Sequence, residues 1–422
     1  MATIAALNAR EILDSRGIPT IEVNLWLDNN IRVTSSVPSG TSTGKNEATE
    51  IRDGDQSRFM GMGVLKAVAN INQTIAPQII GQDPSNQGNV DQILVNLDGT
   101  TKKSRLGANA ILGVSIAACK AGAASYNLPL YEYLSLKYQL TTKPYHLPTP
   151  MFNVINGGKH GAGNLDFQEF HVTPSTRYPF SKSLQMGVEV YHALEQTLIQ
   201  NNAIHSTGVE GGFAPNLYTN LDALEIIREA TKQTPYNLGQ DIFLGLDIAA
   251  SHFYKNKKYT IKDRSQEFTA QEFIEYYKKL NQDYNVFSLE DPLDESDWKS
   301  WKELTTQMSQ NTLIIGDDLI STNKNLLKKA ISEKACTAVV IKPNQIGTIT
   351  ETVEVCKIAR EAKLQLIASH RSGETNDTFI ADFAVGIGTN YAKFGAPARG
   401  ERIIKYNRLL QIESETQVGG LK

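Results

Sequence analysis

Five short apolar runs in the second half of the chain each end on residues able to do ionic chemistry. IFLGL is followed by Asp247, VFSL by Glu290 and Asp291, TLIIG by Asp317 and Asp318, TAVVI by Lys342, and LQLIAS by His370 and Arg371. Any one of these is ordinarily a solvated charge where a strand meets its loop. Five in succession argue for a shared purpose, because the C-terminal ends of parallel barrel strands lie on one face, where barrel active sites are built. Asp247, Glu290 and Asp317 have no cysteine or closely spaced histidine beside them. They suit a hard divalent cation bound through oxygen, Mg²⁺ rather than Zn²⁺, and the absence of an HExxH motif agrees with that.

A lysine beside such a cation has a definite use. The free amine titrates near about 10.4, and burial and a neighbouring cation both lower that value, so Lys342 is expected to be a neutral amine able to take a proton. Lys393, in AKFGAPARGER, is a candidate to face it across the pocket. The competing reading is that Lys342 simply pairs with one of the acids.

Three glycine-rich stretches need similar weighing. SGTSTGK (39–45) looks superficially like a phosphate loop, but three residues separate Gly40 from Gly44 and Asn46 follows Lys45, so the P-loop pattern fails and a mobile loop is the better reading. INGGKHGAG (155–163) sets His160 between glycines, as at the tip of a flexible lid, although a lone loop histidine is commonly structural or solvent-facing. GVEGGFAPN (208–216) puts Glu210 in a tight turn, equally a seat for a positioned acid and a plain surface turn.

These groups need a scaffold. A chain of 422 residues implies two domains or three small ones, and 41% hydrophobic with 21% charged residues implies a globular protein with a sizeable core. Lys plus Arg at 42 against Asp plus Glu at 45 leaves a net charge of -3, which offers no footprint for nucleic acid or an anionic membrane. Three cysteines without a CxxC pair exclude a disulfide framework. With no basic leader before an apolar stretch, and no apolar run approaching the ~18 residues of a membrane span, the expectation is a cytoplasmic protein.

Alternation at period two predicts strands in IPTIEVNLWLD and NIRVTSSVP, with Ile21, Val23 and Leu25 on one face. Ala-, Asn- and Leu-rich stretches from about Met62 to Tyr133 predict helices, and LTTKPYHLPTP (140–150) is the best linker. Beyond it, a helix is expected at 184–198 with Leu184, Val188, Tyr191, Leu194 and Leu198 buried. Another follows the cap-like Ser321-Thr322-Asn323 and buries Leu326, Leu327, Ala330 and Ile331. Strand then helix, repeated, argues for an α/β barrel or a doubly wound sheet.

SGTSTG, LGANAILGVS, FNVINGGKH, FQEF, EGGFAPN, GLDIAAS, SLEDPL, GDDL, IKPNQIGT, SHRSGET and KFGAPARGER occur in that order over nearly the whole chain, which thereby resembles the enolase family. The resemblance implies an α/β fold, with an α+β domain over 1–138 and an eight-stranded, TIM-like α/β barrel over 139–422. It implies reversible dehydration of 2-phosphoglycerate to phosphoenolpyruvate with two Mg²⁺ per site, an activity of glycolysis and gluconeogenesis. Asp247, Glu290 and Asp317 resemble the first metal's ligands, and Ser42 a loop residue that closes over the substrate and contributes to the second. Lys342 matches the base at C2 and Glu210 the acid that helps the C3 hydroxyl leave. Lys393 matches a carboxylate contact, Arg371 and Ser372 phosphate contacts, and His160, Glu169 and His370 pocket residues. Gln168, beside Glu169, is a further candidate. Enolase-superfamily sites that pair a Lys or His base with Mg²⁺ are a worked example of tuned acid–base chemistry.

Val209, His252, Ile18 and Lys159 stand where the family usually has Asp, Glu, Asn and Ser. A carboxylate beside Glu210 would raise its pKa by like-charge repulsion, whereas Val209 could do so only by desolvation. Two alternatives follow: a paralogue acting on another phosphorylated or phosphonylated hydroxy acid, and a surface binding role presented by the terminal Lys422 in GGLK. The family also implies a homodimer or higher homo-oligomer.

Overall fold

The computed structural model describes residues 2–40, 44–161 and 163–419. Three strands, β1 (Ile4–Leu13), β2 (Pro19–Leu27) and β3 (Arg32–Ser36), form an antiparallel meander. Ile21, Val23 and Leu25 are fully buried on one face of it, as their alternation requires. The helix Ala108–Ser125 packs on that sheet and explains its own composition. Ala110, Ile111, Val114, Ala117, Ala118 and Ala121 form one stripe against the N-terminal sheet. Leu112, Ile116, Cys119 and Ala123 form the opposite stripe and belong to the barrel's core. A helix apolar all round is a helix buried all round. It is long and apolar enough to cross a membrane, yet 83% of it is buried inside the protein.

The remaining strands are β4 (Thr149–Pro150), β5 (Phe152–Asn156), β6 (Glu169–Pro174), β7 (Ile242–Asp247), β8 (Tyr254–Lys255), β9 (Lys258–Tyr259), β10 (Val286–Glu290), β11 (Leu313–Gly316), β12 (Ala338–Ile341), β13 (Gln365–Ser369) and β14 (Tyr391–Lys393). β8 and β9 make a small separate ribbon, and the other nine form one sheet in the order β4-β14-β13-β12-β11-β10-β7-β6-β5. β4 and β5 are consecutive pieces of one run interrupted at Met151, so that run joins both ends of the sheet and closes a barrel of eight staves. Closure excludes the doubly wound alternative.

The barrel also departs from simple strand–helix alternation. β5 and β6 form an antiparallel hairpin, β6 is antiparallel to β7, and the other neighbours are parallel. Two helices, Phe180–Gln200 and Asn220–Lys232, then precede β7. The first covers the predicted 184–198 and buries Tyr191, Leu194 and Leu198 as expected, but its buried side also takes in Ser183, Met186 and Val190 and leaves Leu184 and Val188 half-buried. The stripe turns because the helix presses closest at Gly187, where an added Cβ would lie 2.1 Å from the Phe152 ring. The helix Lys324–Glu333 starts where expected, capped by the Asn323 side chain, and buries Leu327 and Ala330, with Leu326 and Ile331 half-buried. Thr149 and Pro150, at the end of the expected linker, are strand.

Candidate active site

Side chains on a strand alternate between faces. Ile315 on β11, Ala338 and Val340 on β12, and Tyr391 on β14 pack together inside the barrel. Continuing those rows by two residues places Asp317, Lys342 and Lys393 inward as well, at the mouth. All five strands read from the sequence are parallel, so their charged ends do share one face. Glu169 reaches the same face by the opposite route: β6 runs backwards, and its first residue pairs with Asp247, the last of β7.

One cavity is lined by His160, Gln168, Glu169, Glu210, Asp247, Asp317, Lys342, His370, Arg371, Ser372 and Lys393, all among the residues singled out from the sequence. Lys393 Nζ lies 2.8 Å from Glu290 Oε1, 3.0 Å from Asp247 Oδ2 and 3.3 Å from Glu169 Oε2. Burial alone would lower its pKa, but these three carboxylates hold it well above the ordinary lysine value. One ammonium cannot neutralise them all. Burial, together with Asp247's charge, pushes Glu290 well above the usual carboxylate range, and Asp247 is raised by burial as well. Glu290 Oε2 is buried without a partner, while the Gln168 amide donates to Asp247 at 3.4 Å.

Those observations test whether a metal fits. Buried carboxylates with excess charge, an orphaned Glu290 oxygen and no thiolate suit a hard divalent cation. Among the described residues, two groups bring ligand atoms within 4.8 Å of one another: His160, Glu169 and Glu210, and Asp291, Asp317 and Asp318. Asp291 there is already occupied in accepting the Asp317 and Asp318 backbone N–H groups at 3.0 and 2.8 Å.

Lys342 pairs with Asp317, which also accepts from Gln345 Nε2 at 3.0 Å. Burial acts to lower the Lys342 pKa, as expected, but Asp317 outweighs it and the amine is raised. This ion pair sets the amine in the opposite direction to the one expected next to a metal.

The expected placement of His160 is corrected. It lies in the 3-10 turn Gly158–His160 and is 7% exposed, pointing inward rather than standing at a lid's tip. Its Nδ1 is 3.2 Å from Glu169 and 3.4 Å from Glu210. Burial would lower its pKa; Glu210 and Glu169 reverse that and push it up to about 10. Glu210 is buried, not a surface turn, and receives a hydrogen bond from Asn153 Nδ2 at 3.0 Å. Burial opposes its charge, yet His160 and His370 hold it well below the usual range. Arg402 can only donate, so its 2.6 Å contact makes His370 Nδ1 the acceptor and leaves the ring proton on Nε2, 3.4 Å from Glu210.

The N-terminal region completes the mouth. Glu47 Oε2 and Oε1 accept from the Arg371 guanidinium at 2.9 and 3.2 Å. Ser39 and Gly373 exchange backbone hydrogen bonds. Arg402 ties the Arg371, Ser372 and Val209 carbonyls together. Sequence reasoning did not single out Glu47, Gln345, Arg402, Asn153 or His171. For His171 a signal existed: Glu169, His171 and Thr173 alternate with Phe170 and Val172, which makes one face of a buried strand polar. Ser42 and Lys422 lie outside the described residues.

Residues 144–420 match the family described as Enolase, C-terminal TIM barrel domain, and residues 4–134 match Enolase, N-terminal domain. The chain belongs to the enolase family. Enolase membership makes it a lyase of the enolase type, and family members use Mg²⁺. Of the four departures from the usual enolase pattern, Ile18 closes the β1–β2 turn through backbone bonds with Asp14. Val209 acts through its main chain, donating to the His160 carbonyl at 3.3 Å. Lys159 and His252 are exposed, and the Lys159 charge adds to desolvation in pushing His252 down to about 4.

Proposed function

We propose that the chain catalyses the reversible, Mg²⁺-dependent dehydration of 2-phosphoglycerate to phosphoenolpyruvate, as a cytoplasmic homo-oligomer of glycolysis and gluconeogenesis. The observation that carries this reading is the opposition of Lys342 to the Glu169–His160–Glu210 cluster. β12 and β6 stand four places apart in a ring of eight, so a substrate between them meets a base on one side and a proton source on the other.

Lys342 removes the C2 proton once the charge on Asp317 is shared elsewhere, since that charge is what keeps the amine protonated. Asp247, Glu290 and Asp317 would hold Mg²⁺, which would supply electrostatic stabilisation to a carboxylate gaining a second negative charge. Glu210 is ionised in the resting cluster, and the proton resides on His160 between the two glutamates. Passing it to the departing C3 hydroxyl through Glu210 completes the elimination. Arg371 and Ser372 bind and orient the phosphate side, Lys393 the carboxylate, and His370 lines the pocket beside Glu210. Ser42 is assigned to the closing loop and the second Mg²⁺.

Ultraviolet absorbance of the conjugated product should rise when 2-phosphoglycerate and Mg²⁺ are added, and Lys342→Ala should abolish the rise. An intact protein that gives no rise sinks this reading. Lys159, exposed beside His160, favours a second reading in which a phosphonylated or differently phosphorylated hydroxy acid is preferred, and a panel of such acids separates the two.

A further inference from the structure

We propose that His171 is a positioning residue, holding the Glu169 carboxylate from beneath so that its free edge faces His160. This rests on the elimination reading above and adds a residue to it.

The floor of the barrel is divided. Met151, Ile315, Ala338, Val340, Ile367 and Tyr391 fill one side with apolar atoms. On the other, Asn153, His171, Thr173 and Ser288 are polar and at most 1% exposed. Burying an imidazole there is unfavourable unless its nitrogens are satisfied, and an apolar side chain would fill the space without that demand.

His171 Nε2 lies 2.8 Å from Glu169 Oε2. Lys393, His160 and His171 hold Glu169 below the usual carboxylate range against its burial and the charge of Glu210. Lys393 Nζ, which can only donate, lies 3.3 Å from the same oxygen, so Oε2 is an acceptor and Nε2 is the donor. In a neutral ring Nδ1 is then the acceptor. Among the described residues it has no hydrogen-bond partner, and neither has Ser288 Oγ. Both flank Gly245, where an added Cβ would lie 2.4 Å from Ser288 Oγ and 3.6 Å from His171 Nδ1. No side chain fits between them. The two unpaired atoms flank the same glycine, so one bridging water would let the Ser288 hydroxyl donate toward Nδ1 and favour the Nε2–H tautomer.

Glu169 is thus held at three points. Oε2 meets His171 and Lys393, and Oε1 meets His160 at 3.2 Å. Rotation of the carboxylate would break the first two contacts together. Its edge toward His160 is fixed, and with it the proton shared with Glu210. Misplacement of a reacting group by ~1 Å can cost about 10²-fold in rate.

The test compares the parent enzyme with His171→Met, which has no donor, and His171→Gln, whose amide N–H can reach Glu169. In the absorbance assay with 2-phosphoglycerate and Mg²⁺, His171→Met should lose about 10- to 100-fold in kcat with KM within about threefold, and His171→Gln should recover to within about fivefold of the parent. An active parent with His171→Met within about twofold of it overturns the proposal, as does equal impairment of both variants. An inactive parent overturns the elimination reading instead. Nitrogen NMR of the substrate-free parent reads the tautomer independently, including where a variant does not fold. Nε2–H supports the proposal, and Nδ1–H overturns it whatever the kinetics.

Discussion

Lys393→Met removes a buried ammonium from among three carboxylates while keeping a side chain of similar length. The ammonium lies 2.8, 3.0 and 3.3 Å from Glu290, Asp247 and Glu169, and each pair is worth about 5–6 kcal/mol at an effective dielectric near 20. Desolvation of the ammonium and the raised pKa values of Glu290 and Asp247 offset much of that sum, so the expected net loss is about 3–5 kcal/mol, as for other buried pairs deprived of one partner. A cooperative barrel of roughly 280 residues has an unfolding entropy of about 0.6 kcal/mol/K, which converts the loss to about 5–8 °C in Tm. Calorimetry should find that deficit in chelator at neutral pH. Asp247 and Glu290 already have raised pKa values, and losing Lys393 raises them further. The folded variant therefore binds protons more readily than the unfolded chain, and its deficit should shrink as pH falls toward about 5. Excess Mg²⁺ should narrow it too. A Tm change below about 2 °C in chelator, unaltered by pH or Mg²⁺, refutes the idea that Lys393 holds these acids as charged groups.

Two further perturbations probe other parts of the chain. His160 is raised to about 10 from an ordinary 6.5, so its contribution, of the order of a few kcal/mol, is fully present below about 6.5 and lost as pH rises through about 10. The Tm gap between parent and His160→Gln should accordingly be widest near pH 6 and close in alkali; a gap independent of pH removes the protonated imidazole from the account. Thr219 caps the helix Asn220–Lys232 in a reciprocal box with Asp222. Thr219→Ala should cost about 1 kcal/mol, or about 2 °C in a melting experiment, and an unchanged Tm counts against the capping assignment.

The strand-end charges were legible because period two and strand direction together fix where a side chain goes. Asp247, Glu290, Asp317, Lys342, His370 and Arg371 all follow apolar runs on parallel strands. Glu169 could not be found that way. Its strand is reversed, so the mouth meets the beginning of β6 rather than its end, and the FQEF resemblance alone pointed to it. The loop residues were harder still. His160 and Glu210 are drawn inward by each other and by Asn153 and His370, which are distant in sequence. Lys342's pairing depended on how Asp317 shares the pocket, a distance that spacing does not contain.

The same limit applies to the net charge of -3, an average over opposing local fields. Seven carboxylates line the cavity and Glu290 stands behind them, against Lys342, Arg371, Lys393 and the protonated His160. The acids outnumber the cations. A trianionic substrate entering that field without added positive charge meets repulsion at the depth where Asp247, Glu290 and Asp317 are buried and least screened. A divalent cation relieves the acids and lessens the negative excess of the site. On the proposed function, metal loading would therefore favour substrate binding by electrostatics alone, before any chemistry, and the substrate's own negative charge would tighten the metal by the same factor.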